Sequence, residues 1–164
     1  MSRRTSAIIS AAITLIIFTV LPLYAPSLIP PEYIDMVSEF GIDIIQFANE
    51  IAMIGGVIAV LTLVKGFVQP SSVFYLLASV ASSGVTLFFT IVTVSLGRFE
   101  DLANLGMTTI TMEVPGALNT MSLDFRLFVW ITAATVALRI VESFLEYADA
   151  RKQKAADAPH PMIG

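Results

Sequence analysis

The chain has 164 residues, of which 56% are hydrophobic and only 13% charged, and its mean hydropathy is +0.83. Soluble domains carry about 25% charged residues, so lipid is the expected main solvent, and the length suits one bundle with no separate soluble domain. The lack of cysteine excludes disulfides, Fe–S clusters and thiolate metal sites, and the single histidine, His160, sits between two prolines in a polar tail rather than in an apolar run that could hold haem or copper.

After the basic start MSRR, an apolar run over about 6–24 is long enough to cross ~30 Å of hydrocarbon. A basic start and an apolar middle also mark secretory leaders. Here the small-residue stretch YAPS puts Pro26 directly after Ala25, a poor cleavage position, so the run is read as a retained helix. The proline-punctuated stretch LPLYAPSLIPPE follows it.

The second span is read over about 48–68. Its uninterrupted apolar part, 51–64, is too short to cross and must be extended through Glu50 or through Lys65. Lysine snorkels readily and glutamate reaches less far, so the outer boundary is expected close to Glu50. Residues 32–49 then form an amphipathic approach on the outer surface. Ala52, Gly56, Ala59 and Gly66 give this helix a small-residue face. The third span, about 73–96, carries Ser79, Ser83, Thr86, Thr90 and Thr93 at steps of 4, 3, 4 and 3, which is one helical face. The short KGFVQPSS turn makes the two helices antiparallel neighbours, so these faces are expected to form a close helix pair, or alternatively a polar permeation face.

Between the third and fourth spans lies the one sizeable loop. Phe99, Leu102 and Leu105 suggest a short helix that Gly106 ends. Ile110, Met112 and Val114 alternate with Thr109, Thr111 and Glu113 at the period of a half-buried strand. Pro115 and Gly116 fit the two central positions of a type II turn, and Asn119, Met121 and Leu123 suggest a return strand. An isolated two-stranded hairpin is marginal in water, so Ile110, Met112, Pro115 and Gly116 are the candidate assembly loop.

The fourth span, about 125–147, places Thr132, Thr135, Arg139, Glu142, Glu146 and Asp149 on one face. Arg139 lies 13 residues beyond Arg126, ~20 Å deeper, with Glu142 at i+3 as its expected partner. Glu50, Arg139 and Glu142 are the candidate intramembrane charges.

The expected fold is all-α and membrane-integral. Residues 1–150 form a single four-transmembrane-helix bundle with a small extracytoplasmic loop between helices three and four, and 151–164 form a polar cytoplasmic tail. With both termini cytoplasmic, seven Lys/Arg lie on the inner side and two, Arg98 and Arg126, on the outer, the bias expected of a plasma-membrane protein. The same topology gives net charges of +3 inside and −7 outside, which sum to the formal −4. No phosphate loop, metal-ligand cluster or nucleophile–base pair stands out, so neither an enzyme, nor a cofactor, nor a nucleic-acid partner is expected. The leading expectation is a non-catalytic, self-associating or accessory subunit whose partners are the bilayer and other membrane chains. The alternative is an oligomeric cation channel or small-solute transporter.

Overall fold

The computed structural model describes residues 2–96, 105–114 and 117–156, except the side chains of 110–114 and 117–119. Four helices are long and apolar enough to cross a membrane: α1 (Arg3–Leu28), α3 (Ile44–Phe67), α4 (Val73–Val94) and α5 (Arg126–Ala156). A short helix, α2 (Pro31–Glu39), precedes α3, and strands β1 (Met107–Val114) and β2 (Ala117–Asp124) separate α4 from α5.

Helix α1 runs further than the 6–24 reading allowed, through Pro22 and Pro26 to Leu28. Pro22 has no N–H to give the Phe18 carbonyl four residues back. The helix takes up that loss as a π turn over Ile16–Val20, immediately before the proline. The next pair of prolines does stop it. Ile29 and Pro30 are extended, as a residue ahead of a proline prefers, and Pro31 opens α2. Gly41, at φ 72°, turns the chain, and the Asp43 carboxylate then accepts from the Gln46 N–H at 2.8 Å as the cap of α3. Ser72 caps α4 in the same way through the Phe74 N–H.

The long helices pack mainly in chain order, α1 on α3, α3 on α4 and α4 on α5. The core lies where three of them meet: Ile51 and Ile54 of α3 and Val92 of α4 are buried, flanked by Phe47, Ile58, Val85 and Phe89. Phe18 of α1 closes it edge-on against Phe89, with ring centroids 5.2 Å apart.

The small-residue face of α3 does not turn toward α4, as the short connecting turn suggested. It turns toward α1. A Cβ on Gly55 would stand 2.6 Å from the Phe18 carbonyl carbon and overlap its oxygen, and one on Gly66 would overlap Ala7. The Thr19 hydroxyl also donates to the Ala52 carbonyl at 3.1 Å. Ala52 and Ala59 are both buried, whereas a Cβ on Gly56 would meet only Thr19 Oγ1, at an ordinary 3.8 Å.

β1 and β2 pair antiparallel from Met107↔Asp124 to Val114↔Ala117, so both strands reach further than the alternation alone indicated. The hairpin base is fixed to the bundle: the Thr108 hydroxyl donates to the Val94 carbonyl at 2.9 Å, and the Phe125 N–H to the Gly106 carbonyl at 2.7 Å. Gly106, at φ +90°, sits against Val129 and the Arg126 backbone where a side chain has no room. The expected helix at 99–104 and the Pro115–Gly116 turn lie outside the described residues.

Candidate functional site

Polar side chains from all four long helices meet at the end of the bundle that carries both termini. Arg3 of α1 donates to the Lys65 carbonyl at 2.6 Å and lies 4.9 Å over the Tyr75 ring, with Lys65 Nζ at 5.9 Å from the same ring. The Tyr75 hydroxyl, on a side chain only 7% exposed, donates to both carboxylate oxygens of Glu146, at 2.9 and 3.0 Å. One tyrosine thus ties α4 to α5 while its ring receives cations from α1 and α3.

Next to this cluster is a polar cleft of about 230 Å³. Lys65 of α3 forms one wall, Ser82, Ser83 and Thr86 of α4 the floor, and Arg139, Glu142, Ser143 and Glu146 of α5 the other wall. The i, i+3 ion pair expected between Arg139 and Glu142 does not form. Among the described residues neither side chain has a hydrogen bond or an ion pair, and both are exposed. Helical spacing set them within reach, but each extends into the cleft rather than along its own helix.

The hydroxyl stripe of α4 is directed inward on its own backbone. Ser83 donates to the Ser79 carbonyl, Thr86 to Ser82, Thr90 to Thr86 and Thr93 to Phe89, all between 2.8 and 3.1 Å. Ser143 does the same to Arg139. These five hydroxyl protons are therefore used within their helices, which leaves each of the five oxygens as an acceptor. Ser79, 1% exposed, has no partner for its hydroxyl.

Glu50 lies about two turns inside α3, which begins at Ile44, earlier than the 48–68 reading placed it. It is half-buried. One carboxylate oxygen accepts from the Gln46 amide at 3.0 Å, and the other is shielded and without a partner. Glu50 stands at the hairpin end and shares no site with Arg139 and Glu142.

At that same end the Arg126 side chain and backbone N–H both donate to Asp124, with a guanidinium contact of 2.6 Å. The hydrogen bonds from the Arg126 side chain, then that from its backbone, lower the Asp124 carboxyl to about 2. Among the described residues no group of three His, Asp or Glu side chains could hold a metal ion.

Sequence reasoning singled out Arg139, Glu142, Ser83 and Thr86 but not their convergence with Lys65, Ser82 and Ser143. The role of Tyr75 was missed as well. Its position three residues into α4, at the same end of the bundle as Lys65 and Glu146, is the signal that could have revealed it. No protein-family model, curated protein or solved structure matches this chain.

Proposed function

We propose that this protein crosses the plasma membrane four times with both termini in the cytoplasm, and that it is a non-catalytic assembly unit, associating with copies of itself or with other membrane subunits. The Lys/Arg bias of seven to two supports the orientation. The observation that carries the assembly reading is the hairpin. It is a sheet of two eight-residue strands, and among the described residues no third strand flanks it. A two-stranded sheet is marginal alone, and strand edges recruit further strands by backbone pairing. Here the base is anchored by Thr108 and Gly106, which holds those edges above the bundle for a partner to reach.

The test is to replace residues 109–122 with a two-residue Gly-Ser bridge. Thr108 and Leu123 are paired, so their Cα atoms are about 5 Å apart and the bridge closes without moving the anchors. The expected result is a shift to smaller species in native mass measurements, with thermal unfolding of the helices unchanged. An unchanged oligomer distribution would remove the hairpin as an assembly surface.

The polar cleft favours a second reading, an oligomeric cation channel or small-solute transporter. Against it, no cleft residue on α4 lies beyond Thr86, and the α4 hydroxyls of Thr90 and Thr93 continue toward the hairpin end only as acceptors. Liposomes loaded with a cation-sensitive dye decide between the readings. Negligible flux is expected, and robust flux altered by Arg139→Gln would reverse the order.

A further inference from the structure

We propose that the cleft between α3, α4 and α5 binds the headgroup of a zwitterionic phospholipid, a phosphate ester tethered to an amine. The ligand class follows from which groups in the lining remain available. Lys65 and Arg139 are both cationic donors without a carboxylate within 4.0 Å among the described residues. Glu146 shares the single Tyr75 hydroxyl proton between its two oxygens and keeps its charge, whereas Glu142 has no partner. Thr86, Ser83 and Ser143 offer acceptor oxygens only, and the Ser82 hydroxyl is left as a neutral donor. The cleft thus presents two cations that no carboxylate neutralises, Lys65 resting on the Tyr75 ring and Arg139, and two carboxylates, of which Glu142 has no partner at all. A simple anion would face Glu142 and Glu146, and a simple cation would face Lys65 and Arg139. A group carrying both charges meets both. Arg139 and Glu142 are three residues apart, about 4.5 Å along the axis, a distance that a two-carbon bridge between phosphate and ammonium covers.

The rest of the same α5 face extends the match. From the terminal end toward the hairpin it reads Glu146, Glu142, Arg139, Thr135, Ile131 and Phe128, all exposed, with Ile131 and Phe128 56% and 55% exposed. The polar half is followed by an apolar half, in the order of a lipid headgroup and its chains. The phosphate sits between the Arg139 guanidinium, whose planar fork suits its oxygens, and Lys65. The ammonium sits on Glu142, and the acyl chains run up α5 past Thr135.

The test is native mass spectrometry of the detergent-solubilised full chain, titrated separately with phosphatidylethanolamine, phosphatidylglycerol and diacylglycerol. Wild type is expected to retain phosphatidylethanolamine about tenfold better than phosphatidylglycerol, and diacylglycerol hardly at all. Lys65→Gln and Arg139→Gln should each lower phosphatidylethanolamine retention about tenfold, with Arg139→Lys intermediate. Glu142→Gln should keep phospholipid binding but erase the preference over phosphatidylglycerol. Equal retention of all three lipids, or unchanged retention in both charge variants, would overturn the proposal. So would displacement by millimolar inorganic phosphate, which would make free phosphate the ligand. Binding confined to monomers and expelled from oligomers would assign the cleft to a partner helix instead. Lipid adducts and oligomer masses are read in one spectrum, so failure of the lipid site is distinguishable from failure of the assembly reading.

Discussion

The seam between α1 and α3 and the seam between α4 and α5 join long helices in the same bundle by opposite means. In the first, glycines bring backbones together: Gly55 and Gly66 leave no space for a methyl group, and the Phe18 carbonyl that Pro22 cannot serve lies against Gly55. In the second, α5 buries little besides Val129, Val136 and Ser143, at a spacing of seven, and the remaining connection is polar, through Tyr75 and Glu146. Small residues gain dispersion contacts where lipid supplies no hydrophobic driving force between helices. A polar tie fixes position along the helices while leaving a cleft beside it. The close seam is a structural one, and the open seam has room for a ligand.

The sharpest way to break this comparison is substitution along α3. Gly55→Ala and Gly66→Ala should each destabilise the fold by about 1–3 kcal/mol, since the neighbours they meet are Phe18 backbone and the Ala7 methyl. Gly56→Ala, one residue from Gly55, should be neutral or stabilising by up to ~1 kcal/mol, because its new methyl fits and alanine favours helix. Thermal unfolding in detergent reads all three, and equal melting of Gly55→Ala and Gly56→Ala would refute the close approach of α1.

Gly106→Ala tests the anchor that joins the hairpin to the start of α5. At φ +90° and 2.8 Å from Val129 Cγ2, an added Cβ should cost about 1–3 kcal/mol. Hydrogen exchange at the Phe125 amide, which donates to Gly106, should rise with it; unchanged protection there would show that the contact is not an anchor. On the open seam, Tyr75→Phe keeps the ring and both cation contacts but removes the hydrogen bonds to Glu146. A loss of about 1 kcal/mol is expected, limited because Glu146 is exposed enough to be solvated instead. A larger loss than that of Gly55→Ala would invert the ranking of the two seams.

The smallest effect lies at the surface pair Asp124–Arg126. Folding lowers the Asp124 carboxyl to about 2, so its contribution is complete above the unfolded value of about 3.9 and is lost as pH falls through about 2. Both side chains lie at the surface, about half exposed, so the effect on stability should be slight. Carbon-detected titration should nevertheless place the Asp124 midpoint well below that of other surface aspartates, and Arg126→Gln should restore it.

How much of this was legible varies with the kind of interaction. Two-residue periodicity marked β1 and β2, and the Asp43 and Ser72 caps sit where side-chain oxygens precede apolar runs. The partner of the α3 small-residue face was not legible, because a face of glycine and alanine accepts any helix. A nearby clue was Pro22, which strips the Phe18 carbonyl of its donor just where a close neighbour can approach. The Arg139–Glu142 spacing was read correctly as one face but incorrectly as a pair. Spacing says which side chains can meet, not that they do: both line the cleft, and no ion pair joins them.

The sequence by itself determined that four apolar helices form, because helix length and hydropathy are local properties summed over some twenty residues. It also determined the shared faces of hydroxyls and charges, because helical periodicity is fixed by backbone geometry. Only the tertiary structure decided that α3 offers its glycines to α1, that Tyr75 occupies Glu146, and that Lys65 joins Arg139 and Glu142 around one cleft. These are contacts between residues up to about seventy positions apart, set by the shape and charge of surfaces that no local pattern encodes.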